Sequence, residues 1–146
     1  MFMDVAGAFN NVHHARLIDN MRKRRIPAHI TKWVESFLKG RSTQLRFNGI
    51  TSETIPTPAG TPQGSLLSPI LYMYYNGDLL DITRRYPYCH SLGFIDDIAY
   101  GIQGQSDDRN AAMICAMLEE AETWRQKHRA QFEKSKYILV YFTRNR

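Results

Sequence analysis

The chain has 146 residues, of which 43% are hydrophobic and 23% are charged, as expected for one folded domain with an ordinary core. No apolar run approaches the roughly 20 residues of a membrane helix, and no signal peptide is visible. The two cysteines, Cys89 and Cys115, lie in apolar surroundings, so we predict buried free thiols in a reducing compartment rather than a disulfide framework.

The positive charge is concentrated in two stretches of a chain whose formal net charge is +5. Residues 21–46 contain eight basic residues and one acid, and residues 125–146 contain seven basic residues and one acid. Basic stretches on both sides of a more acidic centre suit a protein that binds a phosphate backbone. Ordinary solvated helix faces would give the same counts, so both explanations stay open.

The first predicted element is a strand from Phe2 to Val5, with Asp4 at its functional end. Strand ends commonly carry catalytic side chains in α/β and α+β enzymes. Taken alone, Asp4 is better explained as a turn or helix cap, and Phe9 as a core aromatic residue.

Two helices are predicted after this strand. The first runs from Val12 to Arg25 and has an apolar face and a basic end that suits the helix dipole. The second begins at Pro27 and ends at Gly40. Its apolar stripe has helical spacing and comprises Ile30, Trp33, Val34, Phe37 and Leu38.

A hairpin is predicted between these helices and the centre of the chain. Apolar and polar residues alternate at positions 43–47, which predicts a half-buried strand. Asn48-Gly49 predicts a tight turn, because both residues tolerate positive φ, and the chain returns along residues 51–55.

A loop and a helix start come next. Three prolines and two glycines make residues 56–64 a loop, whose glycines permit close approach of a ligand. Ser68 and Pro69 are predicted to cap and begin the following helix. Such a junction offers free N–H groups to an anionic or polar ligand, and a plain junction does not explain Gln63.

Two adjacent carboxylates, Asp96 and Asp97, lie between apolar residues that predict two short strands, with the acids at or beside the turn. Their charges repel each other, and burial would raise their pKa values. A divalent cation such as Mg²⁺ removes both penalties, because hard cations take oxygen ligands. On these residues alone, a solvated turn in which Asp caps its own backbone is the commoner explanation.

The C-terminal part is predicted as a helix and a strand. The helix runs from Ser106 to about Arg129, and the helix dipole explains its first acids, Asp107 and Asp108. The final strand covers Tyr137 to Phe142 and begins after Lys136, which is as consistent with a solvated lysine as with a catalytic one. Strands and helices without regular βαβ alternation predict an α+β domain with an antiparallel sheet.

Four stretches, in this order, resemble motifs A to D of reverse transcriptases. They are Phe2–Asn10, Ala59–Pro69, Phe94–Asp97, and Gln131–Tyr137 with Phe142–Arg144. The likeness is strongest to the enzymes of non-LTR (LINE-like) retrotransposons, with a fungal element as the expected source. The run Pro62-Gln63-Gly64-Ser65, with Ser-Pro three residues on, is the specific part of the likeness.

The resemblance implies the palm of a right-hand polymerase, with helices packed on one face of the antiparallel sheet. It implies transfer of nucleotides from dNTPs to a primer 3′-OH, with two Mg²⁺ ions as cofactors and Mn²⁺ as a substitute. Asp4, the backbone of Val5, Asp96 and Asp97 would form the metal site. The implied partners are an RNA template, a DNA primer or RNA–DNA hybrid, and dNTPs, without a membrane.

The resemblance also assigns roles to four further residues. Phe9 would abut the sugar and disfavour a 2′-hydroxyl, next to the backbone of Val5. Gln63 and Gly64 would contact the template and the incoming nucleotide, and Lys136 would face the leaving phosphates as a proton donor.

The chain departs from the family pattern in sequence and in extent. Asn10 replaces the second acid of motif A, and Ile95 replaces the small residue before Asp-Asp. Fingers and thumb do not fit into this length, so we expect residues 1–146 to be a partial domain, weak or inactive alone, whose missing parts an adjacent coding segment would supply.

Other hypotheses stay open. The chain could be an inactive nucleic-acid-binding remnant of a retroelement, or a related palm polymerase such as an intron maturase or an RNA-dependent RNA polymerase. Phe9 favours use of dNTPs, and a carboxylate-pair hydrolase lacks a general acid beside Asp-Asp. The nucleus or an organelle such as the mitochondrion is the expected compartment, and Arg22–Arg25 is a weak nuclear-localisation candidate.

Overall fold

The computed structural model describes residues 1–142. Within them the α-helices are α1 (His14–Lys23), α2 (Ala28–Leu38), α3 (Leu67–Asp81) and α4 (Asp107–His128). The strands are β1 (Phe2–Ala6), β2 (Ser42–Thr43), β3 (Arg46–Phe47), β4 (Ile50–Thr51), β5 (Ile55–Pro56), β6 (Cys89–Phe94), β7 (Asp97–Ile102) and β8 (Gln131–Phe132). Short 3₁₀ turns cover Ile82–Arg85 and Lys134–Lys136. No helix of this part of the chain is long and apolar enough to cross a membrane.

The main sheet has the strand order β6-β7-β1-β8, and all of its neighbours are antiparallel. The first strand of the chain, β1, therefore lies inside the sheet. Met3, Val5 and Ile98 face the helices and are at most 2% exposed, whereas Phe2 and Phe94 on the other face are 47% and 74% exposed. The predicted α+β fold, with helices on one face of an antiparallel sheet, is confirmed.

All four helices contribute to one core beneath this sheet. Leu17 of α1, Leu79 of α3 and Met117 of α4 are fully buried. The Tyr75 hydroxyl donates to the carbonyl of His128 at 2.8 Å, so a buried hydrogen bond also joins α3 to the end of α4. This packing fixes α3 against the sheet, and α3 carries several residues of the site described below.

The predicted apolar stripe of α2 is only half correct. Val34 and Leu38 are buried, but Ile30 and Trp33 are 40% and 58% exposed. The helix packs on α1 through a narrower face, and on its exposed half Trp33 stacks on Phe37, with ring centroids 5.8 Å apart.

The hairpin prediction is confirmed at the turn and wrong for burial. Asn48 and Gly49 have φ values of 49° and 78° and connect β3 to β4, as a two-residue primed turn requires. All residues of β2 to β5 are exposed, because these two-residue strands pair only with each other and lie outside the main sheet.

Helix α3 begins before its predicted cap. Its first residue is Leu67, so Ser68 lies inside the first turn, is 1% exposed and donates its hydroxyl to the carbonyl of Pro62 at 2.6 Å. Ser68 thereby fastens the preceding loop to the helix instead of capping it.

Two C-terminal predictions are wrong. The strand expected from Tyr137 to Phe142 is reduced to one bridge between Ile138 and Phe2, and Phe142 is 93% exposed. The remaining motif D residues, Thr143 and Arg144, lie outside the described residues. Cys115 is exposed on α4 rather than buried, because the buried face of this helix lies along Met117, Ala121, Trp124 and His128.

Candidate active site

Strand β1 brings the first acid next to the acidic pair. In the antiparallel register, Met3 lies opposite Ile98 and Asp4 lies directly opposite Asp97. The Val5 N–H also donates to the carbonyl of Asp96 at 3.2 Å. Directly opposed like charges destabilise a strand pair, so this register keeps negative charge where packing alone would not.

The acidic pair lies on a tight turn between β6 and β7. Phe94 pairs with Asp97, which leaves Ile95 and Asp96 as the two turn residues. Ile95 has a φ of +56°, a conformation that β-branched residues rarely adopt. The predicted placement of Asp96 and Asp97 at or beside a turn is thus the observed one.

Lys136 is the nearest cation to Asp4. Its Nζ donates to Asp4 Oδ2 at 2.6 Å, and the Asp4 side chain is 16% exposed. Hydrogen bonding to Asp4 and the negative charge of Asp4 raise the pKa of Lys136, and Glu133 and Asp96 add to this effect. Lys136 is the last residue of a short turn that is tied back to β1, since the Glu133 N–H, just before the turn, donates to the carbonyl of Asp4 at 3.0 Å.

Tyr72 is a residue of the site that the sequence pattern did not single out. Its side chain is fully buried on α3, and its hydroxyl has no hydrogen-bond partner within residues 1–142. Burial raises the pKa of Tyr72, and the negative charges of Asp96 and Asp4 raise it further, which places both carboxylates within electrostatic reach of the phenol. Tyr72 is therefore a buried phenol near the acidic centre that makes no described hydrogen bond to it.

Phe9 lies against this tyrosine, with ring centroids 5.7 Å apart and planes tilted by 59°. The loop before α3 is attached to the same segment, because the Thr61 N–H donates to the carbonyl of Phe9 at 2.7 Å. Gly60 has a φ of +87°, and a Cβ there would lie 2.8 Å from the carbonyl oxygen of Asn10. This glycine permits close packing of two protein segments, whereas the sequence predicted that it would permit close approach of a ligand.

A cavity of about 540 Å³ lies beside Phe9 and is lined by residues of motifs A, B and C. Gln63, Gly64 and Ile95 also line it, so residues from three separate chain segments meet at one opening. The Gln63 side-chain amide donates to Asn10 Oδ1 at 3.3 Å, and no heavy atom lies within 4 Å of a Cβ built on Gly64.

A second cavity, of about 750 Å³, lies on the open face of the sheet. Asp4, Asp96, Asp97 and Lys136 all line it. The structure therefore brings the four charged candidates together in one cavity and groups Phe9 with Gln63 and Gly64 in another.

The donor set fits a hard divalent cation in chemistry, but it is not a closed cage. Within residues 1–142, no group of three or more His, Cys, Asp or Glu side chains is arranged to hold a metal ion. Asp4 and Asp96 supply oxygen donors, and the field of both carboxylates acts on one ammonium group, that of Lys136. The site thus attracts positive charge without three preassembled carboxylate ligands.

Part of the basic surface is neutralised inside the fold. Arg24 donates to Asp78 at 2.9 Å and to Asp81 at 2.5 Å, and Lys23 pairs with Asp19 at 2.9 Å. The first basic stretch therefore offers less free charge to a nucleic acid than its composition suggests.

Comparison with known proteins gives a family match over almost the whole chain. The reverse transcriptase (RNA-dependent DNA polymerase) family model matches residues 1–143. A "Probable RNA-directed DNA polymerase from transposon X-element" of Drosophila melanogaster is 29% identical over 148 residues, covering 100% of this chain and 16% of that protein. The RNA-directed DNA polymerase from mobile element jockey of the same fly is 37% identical over 78 residues, covering 53% of this chain and 8% of that protein.

A third relative is the Pol polyprotein of the type-2 retrotransposable element R2DM, also from Drosophila melanogaster. It is 34% identical over 70 residues, covering 48% of this chain and 7% of its own length. The chain thus spans less than a fifth of each of these relatives, and their insect origin gives no support to the expected fungal source. Because the family model matches nearly its whole length, this chain belongs to the reverse transcriptase family, and its relatives are proteins of non-LTR retrotransposons.

Proposed function

We propose that this chain is the palm segment of an RNA-directed DNA polymerase, which adds deoxynucleotides to a primer 3′-OH on an RNA template. The observation that carries the proposal is the register of β1 against the Asp96-Asp97 turn, which sets Asp4 opposite Asp97 although 93 positions separate them in sequence. The chain's membership of the reverse transcriptase family supports the same conclusion.

The acidic residues hold the metal ions in this proposal. Asp4 and Asp96 are the ligands, the backbone carbonyl of Val5 completes the shell, and Asp97 is the second acid of the pair. When bound, two divalent ions, Mg²⁺ or Mn²⁺, supply activation of the primer hydroxyl and neutralisation of the pyrophosphate. By holding these ions, Asp4 and Asp96 would place the primer oxygen in line with the α-phosphate; the new P–O bond would form as the bond to pyrophosphate breaks, and the proton of the primer hydroxyl would pass to solvent.

The remaining residues bind substrate and transfer a proton. Phe9 blocks a 2′-hydroxyl, and Gln63 and Gly64 contact the template and the incoming dNTP at the cavity that they share. Lys136 leaves Asp4 and donates a proton to the departing pyrophosphate.

The proposal treats residues 1–146 as part of a larger reverse transcriptase domain. The X-element relative supports this, because the chain covers 16% of that protein. The fingers and thumb, and with them most of the grip on template and primer, would come from outside these residues.

Primer extension tests the activity. The purified chain is incubated with an RNA template, a DNA primer, dNTPs and Mg²⁺ or Mn²⁺, and a chimaera in which it replaces the matching segment of the X-element polymerase is assayed in parallel. We expect extension by the chimaera and its loss on Asp96→Ala. Extension that survives Asp96→Ala would refute the metal-site assignment, and RNA binding without extension would support an inactive remnant.

A further inference from the structure

The turn that carries Asp96 is strained at the residue before it. Ile95 has a φ of +56°, and its branched Cβ makes this left-handed conformation unfavourable. A strained backbone persists only where surrounding groups hold it, and such sites often serve function. The question is therefore which contacts keep the Ile95-Asp96 turn in place.

One contact comes from a buried amide on α3. Asn76 is 2% exposed, and its Nδ2 donates to the carbonyl of Ile95 at 2.5 Å. The next carbonyl, that of Asp96, accepts from the Val5 N–H at 3.2 Å. Two consecutive turn carbonyls are thus held from two different elements, α3 and β1.

The oxygen of the Asn76 side-chain amide makes no such hydrogen bond. Its Oδ1 is buried and has no hydrogen-bond partner within residues 1–142. A buried unpaired acceptor costs stability, so the side chain is not well suited to a purely structural role in the core. The hydrogen bond from Nδ2 to the turn is the interaction that an apolar residue of similar size would not replace.

We propose that Asn76 is a positioning residue that holds Ile95 at positive φ and thereby aims the Asp96 carboxylate toward Asp4. The effect of Asn76 on the conformation of the turn does not depend on the reaction, whereas its effect on metal binding rests on the proposed function. The matched comparison is Asn20, which is also 2% exposed but donates to the carbonyl of Tyr75 at 3.0 Å, away from the turn.

The conformation of the turn is tested first, without metal. NMR chemical shifts of Ile95 Cα and Cβ and its amide coupling constant report φ in the wild type, Asn76→Leu and Asn20→Leu. We expect the positive-φ signature in the wild type and in Asn20→Leu, and its loss in Asn76→Leu. Retention of the signature in Asn76→Leu would overturn the proposal. Asn76→Ala, which removes the same donor, replaces Asn76→Leu if the latter fails to fold.

Binding of Mn²⁺, followed by electron paramagnetic resonance, tests the consequence. Loss of an outer-shell partner typically weakens metal affinity by about 10–100-fold, and we expect the lower end of that range for Asn76→Leu. Adding Ile95→Gly should restore most of the affinity, because glycine adopts positive φ without help. Asn20→Leu should bind as the wild type does. Equal weakening by both Asn variants would contradict positioning, and a wild type that binds no Mn²⁺ would refute the metal site while leaving the NMR result valid.

Discussion

The ammonium of Lys136 lies 2.6 Å from a carboxylate oxygen of Asp4, although 132 positions separate the two residues in the chain. Asp96 adds to the field at the same ammonium, so one protein cation lies where two acidic segments converge. Because a divalent ion bound by Asp4 needs the same oxygen atoms, the ion pair and the proposed metal site compete.

The first prediction concerns this competition. Lys136→Met should strengthen Mn²⁺ binding by ~3-fold, because an exposed ion pair is a weak competitor, and should lower the rate of nucleotide addition by removing the proton donor. Titration calorimetry measures the first effect and single-turnover extension by the chimaera measures the second. Lys134→Met, in the same short turn, is the control and should change neither. Unchanged metal affinity in Lys136→Met would show that the ion pair does not occupy the metal site.

The parts of the fold and of the site that the sequence predicts are those set by local conformation. Asn48-Gly49 and the turn at Asp96-Asp97 depend on a few neighbouring residues, and both turns lie where the sequence places them. The convergence of Asp4 with the Asp96-Asp97 pair needs the whole fold, and the resemblance to reverse transcriptases implied it for Asp4 and Asp96 where periodicity did not; the register of Asp4 opposite Asp97 is seen only in the structure.

Positions chosen by tertiary packing were not predictable. Helix α3 buries one face, which includes Tyr72 and Asn76, but its opposite side also carries apolar residues, since Ile70 and Met73 are 52% and 64% exposed. The apolar pattern of the sequence therefore does not distinguish Tyr72 or Asn76 from their neighbours. Trp33 shows the opposite error: its helical spacing predicts a core residue, but Trp33 is 58% exposed and its ring stacks on Phe37 of the same helix.

A second prediction concerns stability against acid. Burial lowers the pKa of His128 from its ordinary value of 6.5. Its Nε2 lies 3.2 Å from the Asn20 amide nitrogen, a donor, which favours the neutral ring. As the pH falls below 6.5, the unfolded chain binds a proton more readily than the folded one, so stability is lost until the pH passes the lowered pKa. Thermal unfolding of the wild type and of His128→Phe between pH 5 and 8 measures this loss of stability. If the unfolding temperature of the variant depended equally on pH, the prediction would be wrong.

A third prediction concerns the contact between motifs A and B. Gly60→Ala places a Cβ 2.8 Å from the Asn10 carbonyl oxygen and forces a positive φ on alanine, so we expect a loss of about 1–3 kcal/mol in the free energy of unfolding. Gly64→Ala is the matched control, since its φ of +85° is similar but its Cβ meets no atom within 4 Å. Urea unfolding compares the two variants. Equal losses of unfolding free energy in the two variants would show that backbone strain alone causes the effect. A larger loss in Gly60→Ala would measure the cost of the close approach to the Asn10 carbonyl oxygen.

The last prediction concerns discrimination between sugars. The Phe9 ring is held by contact with Tyr72 and by the hydrogen bond from Thr61 to its carbonyl, so its position at the shared cavity is constrained. Phe9→Val opens space beside the sugar, and we expect incorporation of rNTPs relative to dNTPs to rise ~10-fold, the scale on which a changed apolar contact alters specificity. The ratio of kcat/KM values in the chimaera is the measurement, and Phe132→Leu, which alters an aromatic residue on β8 outside that cavity, is the control. An unchanged ratio in Phe9→Val would remove Phe9 from sugar selection, and the cavity would then have to discriminate through Gln63 or the backbone around Gly64.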